Sequence, residues 1–130
     1  VLFRSELKVA ADIKGWADQY RPRVINFDKY ATQSIADRLA NAGCVMADIS
    51  GQQFYQACTD LKDAMDNKRM VHKGQDNWIQ QMNNCAAKVN DSAWRIVKRK
   101  SAGDISAAIA TAMVVTTLLK PQPVAAIYTE

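Results

Sequence analysis

Long apolar runs are missing from this 130-residue chain. None approaches the roughly 20 residues a helix needs to cross a bilayer. The most apolar stretch, Ile105 to Leu119, is broken by Ser106, Thr111, Thr116 and Thr117. The opening Val1-Leu2-Phe3 is too short for the apolar region of a secretory signal, so none is expected. Histidine occurs once, as His72, without a neighbouring nucleophile or metal-ligand partner, and reads as a surface residue. Cysteine is scarce too. Cys44, Cys58 and Cys85 are an odd, widely spaced set with no C-x-x-C pair, which argues against zinc and for buried free thiols in a reducing cytoplasm. No G-x-x-x-x-G-K-[ST] loop exists, which excludes a P-loop ATPase site here. Internal repeats and low-complexity segments are also lacking.

What is present is an ordinary globular composition, 48% apolar and 23% charged. At this length the chain can bury one sizeable core. The net charge of +4 points only weakly to an anionic partner.

Helical and extended patterns alternate along the chain. Val9, Ile13, Trp16, Ala17 and Tyr20 recur at helical spacing, predicting an amphipathic helix over Glu6 to Tyr20 with Ser5 as N-cap. Arg21-Pro22-Arg23 ends it. Val24 to Phe27 is a short β-rich run. Ile35, Leu39 and Ala42 mark a second helix stopped by Gly43, and Cys44 to Ala47 reads as a second strand. Phe54, Ala57, Leu61, Ala64 and Met65 define a third helix. Met70 to His72 is a brief strand candidate. A fourth helix follows Asp76, with Trp78, Met82, Cys85 and Val89 on one face. Trp94 to Val97 reads as strand. The last helix runs from near Asp104 to Lys120-Pro121, small or apolar on nearly every side and therefore expected to be buried. Strands separated by helices imply an α/β fold with a largely parallel sheet.

Asp28 closes the Val24–Phe27 run and is followed by Lys29 and Tyr30. In open α/β sheets, ligands bind at the carboxyl ends of strands; the plainer role for Asp28 is a helix-capping or turn aspartate. In Lys98-Arg99-Lys100-Ser101-Ala102-Gly103-Asp104-Ile105 a basic lead-in delivers Asp104 to the start of the last helix, where it too would serve as an N-cap. Two aspartates, each beside basic residues, also make a set suited to phosphodiester cleavage. Carboxylates gather Mg²⁺, and lysines and arginines hold phosphates. Trp16, Trp78 and Trp94 occupy periodic apolar positions and are expected in core packing rather than base stacking.

The ordered set Ile25-Asn26-Phe27-Asp28-Lys29-Tyr30, a helix ending at Gly43, a strand and Gly51-Gln52 resembles the C-terminal nuclease domain of phage terminase large subunits. The stretches Phe54 to Lys73 and Lys98 to Met113 extend the resemblance, which covers roughly Leu7 to Leu119. It implies an RNase H-like fold whose acidic residues bind two divalent ions, Mg²⁺ or Mn²⁺, and cut double-stranded DNA during genome packaging in the host cytoplasm. Asp28 matches the aspartate that follows the strand before the glycine-terminated helix. Asp104, Ala108 and Ala112 match the family's aspartate-led last helix, although some relatives carry an Ile-Asp pair where this chain has Ile105-Ser106.

The resemblance therefore implies catalytic and metal-binding roles for Asp28 and Asp104, with Lys29, Lys98, Arg99 and Lys100 on the DNA backbone. It further implies a partial nuclease domain over residues 1–120 and a tail over 121–130. The family's first catalytic aspartate precedes the first helix seen here. No Asp precedes Asp12, which falls inside that helix, so the early strands and the ATPase motor are expected to lie outside this chain and the fragment to hold part of the site. A non-catalytic module docking on DNA, on the portal or on the terminase small subunit is the alternative reading; another RNase H-like nuclease, such as a junction resolvase, is a further one.

The basic lead-in yields a test. In a domain with its upstream strands restored, replacing Lys98, Arg99 and Lys100 with alanine should weaken DNA binding about equally for unrelated sequences. The slope of log affinity against log salt should shrink by up to about 0.9 for each phosphate set free. A folded triple variant with unchanged affinity and slope would reduce the run to a solubility feature.

Overall fold

Alanines and alternating charges at helical spacing make the first element a helix, α1 (Leu2–Tyr20), in the computed structural model of the chain. The structure describes residues 2–90, 93–97 and 101–120. Ser5 is not the N-cap expected of it: the residues before Ser5 are compatible with helix, and the helix runs through it. Lys8–Asp12 (3.1 Å) and Lys14–Asp18 pair one turn apart along its surface. The helix ends at Arg21, whose φ of 49° is left-handed and whose N–H bonds back to the Ala17 carbonyl at 2.8 Å. Pro22 prevents its resumption.

The chain divides into two compact units, Val1–Gln53 and Phe54–Glu130. In the first, α1 is followed by β1 (Ile25–Phe27), α2 (Lys29–Asn41) and β2 (Met46–Asp48). The two strands pair in parallel, Ile25 opposite Met46 and Phe27 opposite Asp48. Flanking bonds from Ile25 N to Val45 O and from Ile49 N to Phe27 O lengthen the ladder. Gly43, at φ 97°, makes the turn out of α2 that a residue with Cβ would strain to adopt. Helix α1 packs on α2, and α2 packs on both strands. Ala10, Ala36, Leu39 and Ile49 are buried.

The second unit contains most of α3 (Gln52–Asp66), then α4 (Asp76–Asn84), β3 (Ala87–Asn90), β4 (Ala93–Ile96) and α5 (Ser106–Leu119). Strands β3 and β4 form an antiparallel pair with Ala87 opposite Ile96 and Val89 opposite Trp94. Asp60 on α3 accepts a hydrogen bond from Thr116 on α5 at 2.6 Å, and Trp78 on α4 donates to Thr111 at 2.9 Å. Ala57, Cys58, Leu61, Ala64, Ile96, Ile105, Ala108, Ala112 and Met113 are buried. An apolar hollow of about 240 Å³ remains, lined in part by Leu61, Met65, Met82, Trp94 and Ile96.

The architecture is mixed α/β, with several departures from the sequence pattern. The described strands are not largely parallel: one pair is parallel and the other antiparallel. Met70 to His72 forms no strand. Helix α4 stops at Asn84, and Val89 belongs to β3 rather than to its apolar face. Asn83 and Asn84 are poor helix formers, and the turn composition Asn90-Asp91-Ser92 lies between two runs that can pair. Asp76 is the first helical residue of α4, with Gln75 at the cap position. Helix α5 is buried along one stripe only, since Val114 and Leu118 are exposed.

Trp16 is not a core residue but is 60% exposed, while Trp78 and Trp94 are half-buried. His72 lies at the surface, as expected, with its ring against Trp78 at 4.5 Å. All three cysteines are free, but only Cys58 is fully buried, and burial raises its thiol pKa against the opposing hydrogen bond from the Ile96 backbone. The tail at 121–130 lies outside the described residues.

Leu39, 2% exposed, tests the first core. Leu39→Ala should lower unfolding stability by about 2–5 kcal/mol. Val71→Ala, at a site 95% exposed, should stay within about 0.5 kcal/mol. Urea titration of both variants measures the contrast.

Candidate functional site

Both parallel strands of the first unit end in a carboxylate. Asp28 leaves β1 in extended geometry (φ −108°, ψ 113°) and caps α2. Its Oδ1 accepts the Tyr30 N–H at 2.9 Å. The Asp28 carbonyl accepts from both N and Oγ1 of Thr32, at 2.9 and 3.0 Å. Thr32 is non-helical (φ −137°, ψ 26°), so the first turn of α2 is kinked around Asp28. The half-buried Asp28 side chain is thus held through one oxygen, and Oδ2 has no donor among the described residues. The capping and ligand readings are therefore compatible, because each uses a different oxygen.

Asp48 ends β2 one strand over. Its Oδ1 accepts the Lys29 N–H at 3.0 Å, its Oδ2 accepts the Ser50 hydroxyl at 2.9 Å, and Lys29 Nζ lies 4.0 Å from Oδ2. Asp48 therefore secures the residue that follows Asp28, and Lys29 holds its ammonium between Asp48 and the Tyr30 ring, 5.2 Å from the ring centroid. The sequence pattern did not single out Asp48. The signal was there: Val45-Met46-Ala47 followed by Asp48 repeats the apolar-run-then-aspartate pattern of Val24 to Asp28. A pocket of about 150 Å³ in this unit lies elsewhere, at the amino ends of the strands, with Lys14, Asp18, Pro22, Ile25, Cys44 and Val45 among its walls.

Asp104 belongs to the second unit and precedes α5 by two residues. Its Oδ1 accepts the Ser106 N–H at 3.0 Å, and Gln81 Nε2 approaches Oδ2 at 3.4 Å. The other end of that amide closes the helix start, since Gln81 Oε1 accepts the Ala107 N–H at 2.6 Å. Ile105 occupies the cap position, so Asp104 and Gln81 share the capping that the sequence assigned to Asp104 alone. Asn84 Nδ2 donates to the Asp104 carbonyl at 3.2 Å, and the Asn84 carbonyl accepts the Ala102 N–H at 2.9 Å. Gly103 runs so close that a Cβ there would lie 2.9 Å from Asn84 Nδ2. The end of α4 thereby positions Asp104, a dependence invisible in local sequence.

The structure places Asp28, Lys29 and Asp48 together, and Asp104 with Gln81 and Asn84. Lys98, Arg99 and Lys100 lie outside the described residues. Among those residues, no three His, Cys, Asp or Glu side chains assemble as a metal-holding group. No helix among them is long and apolar enough to cross a membrane. No family model matches the chain, and no curated protein or solved structure matches it.

Asp28 can be tested as a cap separately from any ligand role. Asp28→Ala should cost about 1 kcal/mol of stability, whereas Asp28→Asn, which keeps an acceptor, should change it far less. Thermal melts of the two variants should separate accordingly. Equal losses would show that the carboxylate charge, rather than the cap bond, holds the turn.

Proposed function

We propose that the chain is part of an RNase H-like, metal-dependent nuclease domain of the kind found in phage terminase large subunits, which cleaves double-stranded DNA during genome packaging. The observation that carries this reading is Asp28 at the carboxyl end of a parallel strand, fixed through Oδ1 while Oδ2 meets no donor among the described residues. Hard oxygen donors of this type suit Mg²⁺ or Mn²⁺. Asp28 and Asp104 would each serve as a protein ligand of a divalent ion, an incomplete set that the family resemblance would complete with a further acidic residue.

The bound ions would supply Lewis acidity and a water of lowered pKa. The chain's own part is positional. Tyr30 N–H and the Thr32 kink hold Asp28; Gln81 and Asn84 hold Asp104. Lys29, Lys98, Arg99 and Lys100 would contact phosphates without reading sequence. A partial ligand set binds ions weakly and misplaces the attacking water. The isolated chain is accordingly proposed to cut DNA poorly or not at all.

The discriminating experiment follows backbone amide resonances while Mn²⁺ is added at low concentration to a domain with upstream strands restored. Broadening centred on both Tyr30 and Ser106, together with Mg²⁺-dependent nicking lost in Asp28→Asn and Asp104→Asn, is the expected result. Broadening at one aspartate only would remove the other from the proposed ligand set. Absence of both broadening and nicking, with portal or small-subunit binding retained, would favour the docking module instead.

A further inference from the structure

The outward face of α1 combines features that its role in packing leaves unused. Val9, Ile13, Trp16 and Tyr20 fall at helical intervals along one line of this helix. The buried contact is made by a small residue, Ala10, on another side. Trp16 is left 60% and Tyr20 72% exposed, with Val9 exposed as well. Arg21 and Arg23, both exposed, follow directly. Arg21 holds its left-handed φ of 49°, where glycine or asparagine is the easier choice. The acidic residues of this stretch, Asp12 and Asp18, are paired with Lys8 and Lys14, which reduces their repulsion of an anion.

We infer that the Trp16–Tyr20 step with Arg21 and Arg23 is a contact surface for single-stranded nucleic acid. Aromatic rings take unpaired bases on their faces, and arginines beside them take the phosphates. Charge complementarity selects a polyanion over an uncharged apolar partner. The spacing selects a single strand. Residues four apart on a helix are separated by about 6 Å along its axis, nearly twice the roughly 3.4 Å between stacked bases in a duplex strand. Rings so spaced suit bases drawn apart rather than a closed duplex. The assignment is independent of the proposed metal site, since it involves neither Asp28 nor Asp104.

The test is fluorescence anisotropy of a labelled oligothymidylate and of a duplex of equal length, without divalent ions. The wild-type chain should bind the single strand more tightly. Trp16→Ala and Tyr20→Ala should each weaken that binding about thirtyfold, the middle of the range for losing one base–aromatic stack. Trp16→Leu, apolar but without a π-face, should lose as much, and Trp16→Phe should retain most of it. Arg21→Ala/Arg23→Ala should flatten the salt dependence by about 0.7 in log–log slope for each phosphate set free. Circular dichroism should be unchanged in all of them, because the substituted side chains are exposed.

Equal affinity of wild type and Trp16→Ala/Tyr20→Ala overturns the inference, as does failure of the wild type to bind the single strand. Sedimentation showing a wild-type dimer that the double variant dissociates, without single-strand binding, would assign this face to a second copy of the chain. Loss of Mn²⁺ binding at Asp28 would sink the nuclease reading while leaving this result untouched.

Discussion

Parallel strands cannot be joined by a tight turn, so pairing β1 with β2 requires a connection that leaves one end of the sheet and returns to the other. Helix α2, 13 residues long, is that connection in the first unit. The same pairing brings the carboxyl ends of both strands level, with Phe27 opposite Asp48, and so sets Asp28 and Asp48 at one edge. The bond from Lys29 N to Asp48 Oδ1 then locks the start of the crossover to the end of the neighbouring strand. Had the strands run antiparallel, their carboxyl ends would lie at opposite edges and this bond could not form. Strand direction, rather than any single side chain, creates the acidic edge.

The second unit uses a different device. The start of α5 is held from α4 through Gln81, whose amide oxygen accepts the Ala107 N–H and whose nitrogen approaches Asp104. An uncapped helix start leaves N–H groups without partners, and here a side chain 26 positions away satisfies one of them. The Gly103 backbone passes Asn84 closely enough that a methyl group would displace that amide from the Asp104 carbonyl. Asp104 is thus placed by packing between elements. Its position should be sensitive to changes in α4 that touch no carboxylate.

These contrasts explain what was legible in the sequence. Helix α2 and its stops were readable because Asp28 and Gly43 act locally, one through a cap bond two residues on and one through its own φ. The parallel pair was inferable from β-run, helix and β-run in order. The hairpin was not, because Trp78, Met82, Cys85 and Val89 mimic a helical face while Val89 actually pairs with Trp94. Periodicity cannot distinguish a helix continuing through 85–89 from a helix that stops and yields to a strand. Asp48 and Gln81 escaped notice for a related reason: their partners, Lys29 and Ala107, are 19 and 26 positions away. Trp16 shows the converse. Its spacing marked an apolar face correctly, but spacing does not say whether that face is covered.

Asp28 illustrates how a structural and a chemical role can coexist on one carboxylate. A cap needs a single acceptor oxygen in line with a helix N–H, and Oδ1 supplies it to Tyr30. That bond restricts the rotation that would otherwise let the side chain turn away, so Oδ2 is presented in a limited range of directions. Asp48 offers no such opening, since each of its oxygens already accepts a hydrogen bond. For Asp48 to act as a ligand, an incoming cation would have to displace Ser50 or Lys29 or share an oxygen with one of them. For Asp28 it need displace no donor among the described residues. The two strand-end aspartates are therefore chemically unequal despite their matching positions: Asp28 is the one with a donor atom to give, and Asp48 is the one that keeps the turn beside it in place.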